Sequence, residues 1–267
     1  MPRAKPRQPR ANVAHPLYRG HVGLWALVRR ADDLSGRSAP GTLIGAGASW
    51  APTSAEGPGL NCDGTAGYVN CGTASGVGGA GAMTVWARMI LRTVKAANDY
   101  GGIVAQWNDG GAATVRQQFH LIHINGYGRP ANSLDFTVNC SPAPGSMAQS
   151  VIQFQSGDLG RPWTVVGTYD GSTVRLLAFL PSGHVTASAS RTDPINGSVQ
   201  SATFLGNIDS LYCDQILLAA GVVRGRAWTA QEAARLHADP YALFRPAAAT
   251  SVARAAVATD TTIYYAD

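Results

Sequence analysis

Residues 163–180 read Trp163-Thr164-Val165-Val166-Gly167-Thr168-Tyr169-Asp170-Gly171-Ser172-Thr173-Val174-Arg175-Leu176-Leu177-Ala178-Phe179-Leu180. Two β-prone runs with period-two alternation flank an Asp-Gly pair. Asp-Gly accepts positive φ at low cost, so the segment predicts an antiparallel hairpin with strands at 163–169 and 173–180. Working outward, the same alternation predicts strands at 21–27, 67–70, 83–92, 102–106, 118–124, 133–139, 150–155, 184–189, 202–206 and 215–223. Asn125-Gly126 and Pro181-Ser182-Gly183 punctuate two further connections. Short strands with turns at this spacing imply an all-β sandwich or barrel. No long internal repeat is present.

One helix is expected near the end. Thr229-Ala230-Gln231-Glu232 has the spacing of a capping box, Ala233, Ala234 and Leu236 follow, and Pro240 stops the run. Leu236, Tyr241, Leu243 and Phe244 are expected to fold back onto a sheet face.

Composition narrows the class. The chain has 267 residues, 45% hydrophobic and 14% charged, with 31 Gly and 15 Pro. That is enough length for a real core and too apolar for a disordered chain. No run of 18 apolar residues exists, so no membrane span or membrane partner is expected. The basic N-terminus lacks an apolar segment, so no secretory signal is expected. The net charge is +5, and Arg3, Lys5, Arg7 and Arg10 supply +4 of it within residues 1–14, interleaved with Pro2, Pro6 and Pro9. The body is therefore nearly neutral, and residues 1–14 read as an extended basic arm, either solvated or docked on an acidic or anionic surface. Residues 247–267 begin as low-complexity, alanine-rich sequence and end in a β-prone stretch, Thr261–Tyr265. Its Ile263, Tyr264 and Tyr265 form a candidate docking strand.

Cys62, Cys71, Cys140 and Cys213 lack the spacing of a metal site, and buried free thiols are favoured over two disulfides. Cys62 and Cys71 are expected on paired strands.

Four segments together resemble the laminin-G-like, concanavalin-A-like jelly-roll family. They are His15-Pro16-Leu17…Gly23-Leu24-Trp25 with Asp33-Leu34-Ser35-Gly36 and Gly41-Thr42-Leu43, then Leu60-Asn61-Cys62-Asp63-Gly64-Thr65…Tyr68-Val69, then 163–172. The fourth runs from Gly206…Ile208-Asp209 through Arg226…Thr229…Glu232…Leu236 to Asp239-Pro240-Tyr241-Ala242-Leu243-Phe244. The resemblance covers roughly residues 15–246. It implies a two-sheet antiparallel jelly-roll sandwich of about 13–15 strands with one short C-terminal helix. The opening and closing phrases also resemble lectin-like proteins found among bacteriophage structural genes. Val28-Arg29-Arg30-Ala31-Asp32 departs from the Glu-Gly-rich strand of many relatives.

The family resemblance also frames the chemistry. Glycoside hydrolases on this fold need paired carboxylates. The chain has two Glu in all, Glu56 in a Gly/Pro-rich loop and Glu232 at a helix start, and no E-x-D-x-E pattern. No Gly-x-Ser-x-Gly elbow is present. His120 and His123, three apart in a strand, face opposite sides and do not share a metal. A non-enzymatic protein is expected, with no required cofactor. For a Ca2+ site the candidates are the rim acids Asp63 and Asp170, although each precedes Gly and turn formation is the simpler reading. For a glycan, Trp107 with Asn108 and Asp109, in a polar Gly-rich loop, is the best platform, since Trp25, Trp86 and Trp163 sit in apolar strands.

The leading expectation is a bacteriophage virion structural protein, a decoration or fibre-like component of capsid or tail assembled in the bacterial host cytoplasm. It would contact other virion proteins, form a homo-oligomer and have some capacity for a host-surface glycan. The arm (Arg3, Lys5, Arg7, Arg10) and the C-terminal strand would be its tethers. A free carbohydrate-binding module is the first alternative and a glycoside hydrolase the last. Nucleic-acid binding is not favoured and would be confined to residues 1–14.

Overall fold

The computed structural model describes residues 5–6, 8–53, 56–73, 76–106, 118–140, 147–195, 202–208 and 211–245. Its strands are β1 (His21–Trp25), β2 (Thr42–Ile44), β3 (Ala48–Thr53), β4 (Gly57–Asp63), β5 (Tyr68–Asn70), β6 (Met83–Leu91), β7 (Asp99–Gln106), β8 (Phe119–Asn125) and β9 (Ser133–Asn139). They continue with β10 (Met147–Gln153), β11 (Pro162–Tyr169), β12 (Thr173–Leu180), β13 (Gly183–Ser190), β14 (Phe204–Leu205), β15 (Asn207–Ile208), β16 (Leu211–Tyr212) and β17 (Asp214–Arg224), before helix α1 (Ala230–Ala238). Two antiparallel sheets pack as a sandwich. One has eight strands in the order β13-β12-β11-β6-β17-β4-β3, with β1 also on β17; the other has seven, β10-β9-β8-β7-β14-β5-β2. β17 is long enough to border β4 through residues 214–217 and β1 through 220–223 along one edge.

The hairpin at 163–180 forms as its sequence dictates. Thr164 pairs with Phe179 and Tyr169 with Val174, and Gly171 takes φ 91° in the turn. Asp170 closes that turn by accepting the amides of Ser172 and Thr173 at 2.9 and 2.8 Å. The inward side chains of both sheets, among them Met83, Val85, Phe119, Leu134, Phe136, Trp163 and Leu176, make the main core. At Gly167 an added Cβ would sit 2.4 Å from the Phe136 ring, so glycine there lets an aromatic from the facing sheet reach the β11 backbone.

A second apolar layer covers the outer face of the eight-stranded sheet. Trp86, Trp228, Leu236, Tyr241, Leu243 and Phe244 pack together under α1, as expected for the C-terminal fold-back. The capping box is present: Thr229 Oγ1 accepts the Glu232 amide and the Glu232 carboxylate accepts the Thr229 amide. Beneath this layer Glu56 is buried and binds the Arg88 guanidinium through two bonds, while the Tyr241 hydroxyl donates to Glu56 at 2.6 Å. Both glutamates of the chain thus have structural partners.

Three expectations are corrected. The segment 60–69 is an arch, because β4 pairs with β3 and β17 in one sheet while β5 pairs with β2 and β14 in the other; Cys62 and Cys71 therefore do not lie on paired strands. β2, β3 and β4 escaped the alternation rule because β2 has only three residues and Gly and Pro interrupt β3 and β4, where Pro52 stands opposite Pro58. Lys5 is not on a free arm. Its side chain is buried, and Nζ donates to the carbonyls of Leu27, Pro58 and Leu218 at 3.2, 2.6 and 2.5 Å. Arg10 and Asn12 add backbone bonds to Phe244 and Leu243, so residues 10–12 lie along the body. All four cysteines are free and buried, as the sequence favoured.

Candidate functional site

Alternation along β7, β8, β9 and β10 sends one set of side chains into the core and the other to the outer face of the seven-stranded sheet. Because these strands are neighbours, register alone assembles the outer set. Gln149 stands opposite Thr137 and Thr137 opposite His120; in the next row Asp135 stands opposite Ile122, and Ile124 opposite Tyr100. The short β15–β16 ribbon supplies a wall. It lies so close over β7 that a Cβ at Gly102 would fall 2.1 Å from the Asn207 backbone, and glycine at this position brings Ile208 against Ile122 and Ile124. The result is a groove of about 210 Å3 lined by these residues with Tyr127 and Arg129 from the loop joining β8 to β9.

The polar half of the groove is preorganised. Asp135 is buried, accepts the Thr137 hydroxyl at 2.8 Å and forms an ion pair with Arg129 Nε at 3.0 Å. Arg129 Nη2 donates to Gln149 Oε1 at 2.5 Å, so the guanidinium is held flat between two strands. His120 Nε2 lies 3.8 Å from Asp135 Oδ1, and burial pulls the imidazole down to about 4, which keeps it neutral near pH 7. The charges of Arg129 and Asp135 balance. The aromatic half is Tyr100 and Tyr127, with ring centroids 5.7 Å apart at 76°. Tyr127 is 57% exposed and takes φ 55°, a left-handed backbone that a large side chain rarely adopts.

The arrangement suits recognition of a small polar molecule with one apolar face. A flat guanidinium, an amide and an imidazole offer hydrogen bonds beside an exposed ring. The groove places one carboxylate, Asp135, among its described lining residues, where glycosidic cleavage uses two.

Of the residues singled out from sequence, His120 lines the groove. Trp107, Asn108 and Asp109 lie outside the described residues, as do Arg3, Arg7, Ile263, Tyr264 and Tyr265. Asp63 and Asp170 are not brought together: Asp63 ends β4 and Asp170 caps the β11–β12 turn. Asp63 Oδ1 accepts the Thr65 amide at 2.9 Å, the main reason its carboxyl titrates below the usual range. Burial works against the Asp170 charge, but the Ser172 hydroxyl, Arg175 and the turn amides hold that carboxyl far below the usual range. Both therefore act as turn carboxylates, and among the described residues no group of three His, Cys, Asp or Glu side chains is placed to hold a metal. Lys5 and Arg10 lie on the opposite side of the sandwich from the groove, against the layer over the eight-stranded sheet. His120 and His123 do face opposite sides, His120 into the groove and His123 against Phe154 in the core. Sequence reading missed the groove. The available signal was polar residues at alternate positions inside two apolar strands, His120 in β8 and Asp135 and Thr137 in β9.

No family model and no curated protein matches the chain. Solved structures do resemble it. Domain 4 of AbnA, a GH43 extracellular arabinanase from Geobacillus stearothermophilus solved with arabinotriose, superposes with TM-score 0.56 at 11% identity, covering 81% of this chain and 97% of that one. The binding domain of botulinum neurotoxin DC, in complex with SialylT, gives TM-score 0.56 at 10% identity over 83% of this chain, which spans 52% of that structure. The Trypanosoma rangeli sialidase gives TM-score 0.50 at 14% identity, with 81% of this chain and 32% of that one covered. At these identities the likeness establishes the sandwich fold.

Proposed function

We propose that the protein is a non-catalytic carbohydrate-binding β-sandwich module and that the groove on the outer face of β7–β10 takes an uncharged sugar. The observation that carries this reading is the juxtaposition of the exposed Tyr127 ring with the Arg129–Asp135–Gln149 network. A sugar ring has an apolar face for the tyrosine and equatorial hydroxyls for the fixed donors and acceptors. The balanced charge favours a neutral ligand, because an acidic one would meet the buried Asp135 carboxylate. The fold shared with Domain 4 of AbnA and with the toxin binding domains supports the reading by analogy.

Such a module serves equally on a phage particle, where it would recognise a host-surface glycan, or free of one. The burial of Lys5 removes one of the four cations that the virion reading assigned to docking. Calorimetric titration with neutral bacterial and plant oligosaccharides tests the proposal. Binding by the native chain and its loss on Tyr127→Gly supports it, and equal binding by both proteins rejects the groove.

A further inference from the structure

A second cavity, of about 550 Å3, opens where β1 begins and β17 ends. It is lined by His15, Pro16, Arg19, Gly20, Arg224, Gly225 and Arg226, with no carboxylate among these residues. Its frame is fixed. The Arg224 amide donates to the Gly20 carbonyl and the Gly225 amide to Ala82, each at 2.8 Å. Arg226 Nη1 donates to the Pro16 carbonyl at 2.9 Å, and Arg224 Nη2 to Gly78 at 2.9 Å.

The charge around it does not balance. The nearby carboxylates of the helical layer are already matched, Glu232 by Arg226 and Asp239 by Arg245. Arg19 and Arg224 are exposed and form no ion pair among the described residues, and they are the two such arginines that line this cavity. His15 Nδ1 accepts the Leu17 amide at 3.2 Å, which places the ring proton on Nε2 as a further donor.

We propose that this cavity binds a phosphate monoester carried on a sugar. Two unmatched guanidiniums suit a group of charge about −2 better than a singly charged sulfate ester or carboxylate. The space exceeds what one oxyanion fills, and the rest of its lining, His15, Pro16, Gly20, Gly225 and Arg226, carries no Trp, Tyr or Phe. That favours a polyol over a nucleobase, which would want a broader stacking surface than one imidazole. The site is built from the segment that leads into β1 and the end of β17, and stands independently of the groove on β7–β10.

The test is calorimetric or NMR titration at low ionic strength with glucose 6-phosphate, glucose 6-sulfate and inorganic phosphate. Glucose 6-phosphate should bind at least about 10-fold tighter than either of the others. Arg19→Ser with Arg224→Ser should weaken it by at least about 10-fold. Both side chains are exposed, and an unchanged melting temperature shows that the variant folds; Arg19→Ser alone, which breaks no described bond, gives a smaller loss in the same direction. In the NMR titration glucose 6-phosphate should shift the Arg19 and Arg224 signals and not those of Tyr100 and Tyr127. Equal binding of the sulfate ester overturns the charge match, and equal binding of inorganic phosphate overturns the sugar. No binding of glucose 6-phosphate, or binding indifferent to the arginine substitutions, overturns the site.

Discussion

Tyr127 leans edge-to-face on Tyr100 at 5.7 Å while its own backbone sits at φ 55°. A position that pays for left-handed backbone yet keeps a large exposed ring carries a local cost of about 1–3 kcal/mol, and such outliers gather at binding sites. Glycine at this position would relieve the backbone and delete the ring. Tyr127→Gly should therefore melt at or above the native temperature while its affinity for a groove-binding sugar falls by about 10-fold or more. Thermal unfolding and calorimetry on the same sample check both halves.

Asp135 organises the groove through Arg129 and Thr137. Asp135→Asn should loosen Arg129, weaken sugar binding by about 10-fold and cost about 1–3 kcal/mol of stability, since a buried ion pair loses one partner's charge. Urea unfolding gives the stability, and calorimetry gives the affinity.

Acid should unfold the domain through its histidines. Burial pulls His21, His120 and His123 each down to about 4 from 6.5. Between those values the unfolded chain takes up protons that the native state excludes. Stability is therefore fully present above pH 6.5 and is lost as the pH falls towards 4. Denaturant midpoints at pH 7, 6, 5 and 4.5 should fall steadily, and replacing His123, whose ring lies against Phe154, by Phe should flatten the slope.

The Glu56–Arg88 pair is buried on both sides, with side-chain exposures of 5% and 6%. Glu56→Ala alone should cost about 3–5 kcal/mol because it strands the Arg88 charge, whereas Glu56→Leu with Arg88→Met should recover most of that loss. A double-mutant cycle in urea measures it.

The four thiols are free and buried, and burial pushes Cys62 up to about 12. A thiol reagent should titrate four groups after denaturation and react only slowly with the native protein.

How far the sequence spoke for the molecule differs from element to element. Alternation revealed β6, β8, β9, β11 and β12 because each has one face fully in the core. It failed at β2, which has only three residues, at β3 and β4, where Pro and Gly interrupt alternation, and at 60–69, where an arch and a hairpin share the same turn residues. The helix was legible because Thr229 and Glu232 cap it by local geometry alone. The groove was not, because His120, Asp135, Gln149 and Tyr100 lie on four strands and meet only through sheet order. The search for a platform among the tryptophans pointed to Trp107, which lies outside the described residues. The placement of Lys5 was hidden for a related reason: three carbonyls from distant segments receive its ammonium group, and a run of basic residues among prolines reads locally as a solvated arm.

The central claim is that the outer face of β7–β10 holds an uncharged sugar. Its most direct test is a heteronuclear NMR titration of the native chain with the tightest-binding neutral oligosaccharide from the calorimetric panel. The account predicts that the largest shifts fall on Tyr100, Tyr127, Gln149 and the Arg129 Nε–H, with Arg19 and Arg224 unmoved. Shifts centred on any other surface, or a full panel of neutral oligosaccharides that leaves the groove signals in place, would contradict it.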